Sequence, residues 1–263
     1  MTAAASGDKV FSGPTGSGIW VVLPTYNERE NLPLVVPAIR ASLPQAHLLV
    51  VDDGSPDGTG DLADRMASDD PQVHVLHRAG KEGLGAAYRA GFFQVLAHPD
   101  ASVVVQMDCD FSHDPDDLPR LMAAIDAGAD VVLGSRYVRG GSTPDWPFRR
   151  RAISRLGSLF ARTVLGLPYR DLTGGFKVWR REVLGTLDLE RLHANGYGFQ
   201  IEMTWRAHLE GAAISEIPIV FRDRILGSSK MSGAIIVEAL LMVIRLRFGR
   251  RAETTRAADA GPG

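Results

Sequence analysis

The sequence predicts an α/β fold, a Rossmann-like, doubly wound and mostly parallel sheet flanked by helices. Two observations predict it. Through the first half of the 263-residue chain, short apolar runs alternate with amphipathic stretches, and strands of that kind joined by helices form parallel βαβ units with right-handed crossovers. The chain is also 45% hydrophobic, enough to bury a substantial core in one large domain.

The elements follow in order. Ile19 to Leu23 is an unbroken apolar run and reads as the first strand, followed by a helix from Asn31 to Leu43. Leu48 to Val51 is the second strand, and a helix from Gly60 to Ser68 leads to a third at Val73 to His77. A helix from Gly83 to Ala97, the run Val103 to Met107, a helix from Pro115 to Ala127 and the run Asp130 to Gly134 complete the half. Beyond it the chain reads as more helical, with amphipathic stretches over 151–165 and 199–210 and an apolar helix over 234–248. Residues 1–17 and 251–263 lack apolar periodicity and are expected to be mobile tails, leaving 18–250 as the folded domain.

Composition narrows the function classes. A formal charge of −2 does not call for a polyanionic partner, so any such contact must rest on local clusters. Neither a helix-turn-helix, a zinc finger nor an RNP pattern occurs, so no nucleic-acid partner is expected. The single cysteine, Cys109, excludes an internal disulfide and a cysteine-rich zinc site. With no signal peptide visible, the chain reads as cytosolic. The run Ala234 to Ile244, broken by Glu238, is well short of the ~20 residues a spanning helix needs.

In doubly wound sheets ligands bind beyond the carboxyl ends of the strands, and here those positions are rich in acids. The first strand runs into Pro24-Thr25-Tyr26-Asn27-Glu28, the second into Asp52-Asp53-Gly54-Ser55-Pro56-Asp57-Gly58-Thr59. An aromatic ring can stack on a base and a carboxylate can take hydrogen bonds from a base or ribose, so together they read as a nucleoside pocket. Ser55 to Gly58 also reads as a plain turn and Asn27 as a helix cap. The run Val103 to Met107 delivers Asp108-Cys109-Asp110, two carboxylates one residue apart that can hold a hard divalent cation and, through it, a diphosphate. Gly80 to Gly85 reads either as a phosphate-proximal turn or as helix packing; a Walker-type loop is absent. Between Arg136 and Arg170 eight arginines face one acid, Asp145, a segment suited to gripping an anionic group or surface, or to a solvated basic face.

These motifs, with Ser112-His113, Gly134-Ser135-Arg136-Tyr137, Asp171 to Phe176 and Arg224 to Lys230, resemble in content and order the dolichol-phosphate mannose synthases and their bacterial polyprenol-phosphate mannose synthase relatives, across about 19–233. The resemblance implies an A-type glycosyltransferase fold, GDP-mannose as donor, Mg2+ or Mn2+ as cofactor and a polyprenyl monophosphate as acceptor. It implies a donor site at Pro24, Tyr26, Glu28, Val51, Asp53, Cys109 and Asp110, with the metal on Asp108 and Asp110. Arg136, Arg224 and Lys230 would touch phosphates and, with Asp110, form the catalytic set; Arg150 and Ser154 would hold the acceptor phosphate. Cys109 replaces the usual Ala, and Ser112 stands where some relatives carry a Gln metal ligand.

The expected reaction is inverting transfer of mannose from GDP-mannose to the lipid phosphate. The phosphate is already anionic and needs no general base. The rivals are glucose or N-acetylglucosamine transfer from a UDP-sugar, and a catalytically silent nucleotide-sugar-binding scaffold. The expected place is the cytoplasmic face of the membrane, peripherally bound, with the 234–248 helix in the interface or packed on a separate membrane-anchoring protein, the alternative being a helix buried in the domain core.

Overall fold

The computed structural model describes residues 18–192, 196–223 and 237–248. β1 (Ile19–Thr25), α1 (Leu32–Ser42), β2 (His47–Asp52), α2 (Thr59–Asp69), β3 (Val73–His77) and α3 (Leu84–Leu96) follow the predicted order. β4 (Val103–Gln106), α4 (Leu118–Asp126) and β5 (Val131–Ser135) come next, then α5 (Phe148–Leu165), β6 (Lys177–Arg180), α6 (Arg181–Thr186), α7 (Gly196–Leu209) and β7 (Ile214–Pro218). Residues 237–248 are helical.

The seven strands form one sheet in the order β3-β2-β1-β4-β6-β5-β7. All neighbours are parallel except at β6, which runs antiparallel to both β4 and β5. β6 and β7 lie in the half that the sequence presented as helical. Lys177-Val178-Trp179-Arg180 is too short and too charged to read as an interior strand, and β7 alternates weakly with every residue half-buried. What makes β6 a strand is its place between two existing edges, where it pairs with β4 on one side and β5 on the other.

Alternate residues of each strand face opposite layers. Val22, Leu49, Val51 and Val104 pack with Phe92, Ala161 and Phe199 on the side of α3, α5 and α7, while Val21, Leu23, Val50 and Val105 pack with Val35, Ile39, Leu121 and Ile125 of α1 and α4. Each of these valine, leucine, isoleucine and phenylalanine side chains contributes about 1.5–3 kcal/mol on burial. α3 lies close against the sheet because Gly91 has no side chain: a Cβ there would stand 2.5 Å from Val22 Cγ1, inside any tolerable contact. This seats α3 so that its Tyr88 reaches the end of β4.

Candidate active site

The carboxyl ends of β1, β2 and β4 open into one cleft of about 490 Å3. At one end stand Pro24, Tyr26, Glu28 and Asp53, with Lys81 Nζ 4.2 Å from the centre of the Tyr26 ring. The adjacent acids have different work. Asp52 is buried and holds the loop, its carboxylate accepting from Thr25 Oγ1 (3.2 Å), the Ser55 hydroxyl (2.5 Å) and the Ser55 N–H (3.1 Å). Asp53 faces the cleft and pairs with Arg78, yet burial pushes its carboxyl above the ordinary range. Asp57 is engaged in the turn, accepting from the N–H (3.0 Å) and hydroxyl (2.6 Å) of Thr59, so the turn reading holds for Ser55 to Gly58 alongside the cleft.

Asp108, Cys109 and Asp110 lie in the middle of the cleft, carried there by β4. The Tyr88 hydroxyl donates to Asp108 Oδ1 at 2.8 Å, and Asp110 Oδ1 accepts the Ser112 N–H at 3.0 Å. Phe111, between Asp110 and Ser112, has φ 58°, and Asn27 in the opposing loop has φ 60°; asparagine tolerates left-handed backbone, but at Phe111 it persists only where its surroundings enforce it. Burial pushes both the Tyr88 hydroxyl and the Cys109 thiol well above their ordinary ranges, with the neighbouring carboxylates adding to the effect. Cys109 is therefore a buried thiol rather than a reactive thiolate. Among the described residues no group of three or more His, Cys, Asp and Glu forms a metal cage. Two hard carboxylates opening on a cleft fit instead an ion that keeps waters and ligand phosphates in its remaining positions, as Mg2+ does.

The far end is built from arginines and aromatic rings. Arg136 is buried, donating from Nε and Nη2 to the two oxygens of Asp171 at 2.7 Å each and from Nη2 to Thr173 Oγ1 at 2.8 Å. It lines the cleft with part of its fork committed to the wall. Burial works against both charges, but the pairing wins, raising Arg136 and holding Asp171 below the usual carboxylate range. Arg150, half-buried, pairs with Asp223 and lies 4.1 Å from the centre of the Trp146 ring. His113 Nδ1 accepts the Asp108 N–H at 3.0 Å while its ring stacks on Phe176, and burial lowers its affinity for a proton.

Ser154 lies just outside this cleft. Its Oγ accepts from the Tyr137 hydroxyl at 2.5 Å, and it lines an apolar groove with Ile153, Phe160, Ile201 and Val243. Thr173 and Tyr197 line both spaces, so groove and cleft adjoin. Val51 is the exception among the expected donor residues that are described: its side chain, in β2, is wholly buried in the core, two positions short of Asp53 in the cleft. Arg224 and Lys230 lie outside the described residues. The structure adds Lys81, Tyr88, Trp146, Tyr197, Gln200, Phe221 and Glu238, most of them single aromatic or amide residues with no motif to mark them.

The model of the family described as glycosyl transferase family 2 matches residues 20–187, which contain every strand end of this cleft. The chain belongs to that family. It is thus a glycosyltransferase, and the mostly parallel sheet with its helices is the A-type glycosyltransferase fold. A relative named polyprenol monophosphomannose synthase, from Mycolicibacterium smegmatis, is 52% identical over 90% of this chain and 89% of its own. Another, named undecaprenyl-phosphate mannosyltransferase, from Micrococcus luteus, is 48% identical over 91% of this chain and 98% of its own. The resemblance seen in the motifs is borne out by these two glycosyltransferases. Among solved structures, glucosyl-3-phosphoglycerate synthase from Mycobacterium tuberculosis in complex with Mn2+, uridine diphosphate and glucosyl-3-phosphoglycerate superposes with a TM-score of 0.64 at 24% identity, covering 89% of this chain and 81% of that one. That likeness is one of fold.

Proposed function

We propose that this glycosyltransferase moves mannose from GDP-mannose onto a polyprenyl monophosphate, with inversion at the anomeric carbon and a Mg2+ or Mn2+ ion on Asp108 and Asp110. The reading is carried by the relative at 52% identity named polyprenol monophosphomannose synthase, a name that gives the sugar and the acceptor. The cleft supports it. Tyr26, Glu28 and Asp53 suit a nucleoside, the two central carboxylates suit a metal-bound diphosphate, and Arg150 suits an incoming phosphate. A bound divalent ion would offset charge on the departing diphosphate, a task expected of Arg224 and Lys230 too.

The acid–base groups fit attack by an anion already charged. His113 accepts a hydrogen bond at Nδ1, so its neutral ring carries the proton on Nε2 and offers no lone pair as a base. Glu202 is buried against Arg206, whose Nε and Nη2 donate to its Oε1 at 3.0 and 2.7 Å.

The apolar groove beside Ser154 suits the first carbons of a lipid. Phe148, Ile153, Leu156 and Leu159 of α5 and Val237, Leu241, Ile244 and Phe248 of the 237–248 helix are exposed, an apolar surface next to the arginines of α5 that fits peripheral attachment to the cytoplasmic membrane face. No described helix is long and apolar enough to cross a membrane. Ala239 and Val243 are buried, so the same helix also closes the domain core, the other role expected of it. A separate membrane-anchoring protein could bind the same exposed surface.

The deciding experiment offers the purified protein GDP-mannose, UDP-glucose and UDP-N-acetylglucosamine with polyprenyl phosphate and Mg2+ or Mn2+. GDP-mannose should be the donor consumed. Excess chelator should abolish turnover, and Asp110→Asn should lose at least about a hundredfold while melting like the wild type. Consumption of a UDP-sugar instead, or full turnover in chelator, would overturn the reading.

A further inference from the structure

A chain of amides runs from the sheet to the cleft floor, and its chemistry fixes which way each amide points. The indole N–H of Trp179 meets Gln106 Oε1 at 3.4 Å, and Gln106 Nε2 meets Gln200 Oε1 at 2.7 Å. An indole can only donate, so Gln106 must present its oxygen to Trp179 and its NH2 to Gln200. Gln200 must then present its oxygen to Gln106, which leaves its own NH2 at the far end of the relay. That Nε2 is buried and has no hydrogen-bond partner among the described residues, and Gln200, only 2% exposed, lines the cleft. The backbone beneath is pinned as well: Lys177 Nζ donates to the Gln200 carbonyl at 2.6 Å and to Thr204 Oγ1 at 2.9 Å.

The space in front of this amide is set by Gly175. The point where a Cβ on Gly175 would lie is 3.6 Å from Gln200 Nε2, 3.7 Å from Asp108 Oδ2 and 3.4 Å from His113 Cε1, and all four residues line the cleft. A donor and a carboxylate acceptor thus flank one small slot. A hydroxyl both accepts and donates, so one hydroxyl in the slot satisfies the amide N–H and the carboxylate together. A carboxylate oxygen takes more than one hydrogen bond, so Asp108 has capacity for the hydroxyl beside its other partners.

We propose that Gln200 is a specificity-determining residue whose NH2, across the slot left by Gly175 and opposite Asp108, donates to one hydroxyl of the sugar being transferred. The assignment rests on the glycosyl-transfer reading of the cleft but not on which base the donor carries. A buried donor left unpaired is costly, so the site rejects a sugar without that hydroxyl.

The test measures binding to the full-length protein by calorimetry in Mn2+. Wild type is titrated with GDP-mannose, GDP-glucose and UDP-glucose and with the bare diphosphates, which selects the donor. A preference for UDP-glucose would overturn the GDP-mannose reading, and the slot is then tested on that sugar. Gln200→Leu and Gln200→Glu are next titrated with the chosen donor, its bare diphosphate and its singly deoxygenated forms, after a thermal melt confirms folding. Ionised Glu keeps the shape and the acceptor for Gln106 but removes the donor, and repeating its titration at rising pH shows that it is ionised. The bare diphosphate should bind both variants within about twofold of wild type, and the intact donor about tenfold more weakly. A single deoxy form should bind wild type and Gln200→Leu equally weakly, the other forms losing a further tenfold in the variant. The slot is overturned if Gln200→Glu binds the intact donor as tightly as wild type, if every deoxy form shows the same further loss, or if wild type binds the bare diphosphate as tightly as any sugar donor.

Discussion

Arg136 and Asp171, thirty-five positions apart in the chain, meet fork to fork in the wall of the cleft with both charges buried. The Asp171 carboxylate also accepts the Arg136 and Gly174 N–H groups at 2.9 and 3.1 Å. Asp171→Asn would leave a buried guanidinium uncompensated, so a loss of about 3–5 kcal/mol is expected in urea unfolding. Because Asp171 is held below its ordinary range, its stabilisation is present above the unfolded carboxyl pKa of about 3.9 and disappears as pH falls through the lower folded value. An unaltered urea midpoint in the variant at neutral pH would contradict this.

Lys177 gives the opposite end of the pH scale. Wholly buried, it has a pKa lowered from 10.5 to about 7 by burial, with Asp171 opposing the shift. Between those two values the unfolded chain binds the proton and the folded one releases it, so this lysine makes stability rise with pH from about 7 to 10.5. Urea midpoints at pH 7 and 9 should climb more steeply in wild type than in Lys177→Met, by at most about 1.4 kcal/mol per pH unit. Parallel profiles would show that the lysine stays charged across the range.

Arg150 presents a planar fork, stacked on Trp146 and tethered by Asp223. Lysine keeps the charge but neither stacks nor binds two phosphate oxygens at once. Arg150→Lys is expected to raise the KM for polyprenyl phosphate about tenfold with donor binding unchanged. Equal losses for donor and acceptor in steady-state kinetics would remove Arg150 from the acceptor site.

The exposed apolar side chains of α5 and the 237–248 helix predict vesicle binding that depends on both. Replacing Leu156 and Leu159, 62% and 52% exposed, with Glu should abolish flotation with anionic liposomes while leaving the melting temperature within a few degrees. Flotation equal to wild type would show that α5 faces water.

What the sequence determined by itself is the part written in near-neighbour patterns. Apolar runs and helical periods identified β1 to β5, α1 to α5 and α7, because a strand buried on both faces or a helix with one apolar stripe needs only its own residues to declare itself. The same logic placed Tyr26, Glu28, Asp53, Asp108 and Asp110 at strand ends and hence in one cleft. Only the tertiary structure decided the rest. β6 is a strand because β4 and β5 leave it a gap, Arg136 is an ion-pair partner because Asp171 comes to meet it, and Gln200 faces the cleft because Trp179 and Gln106 orient its amide. Buried polar groups must find partners wherever the fold supplies them, and those partners lie tens of residues away, where no local pattern records them.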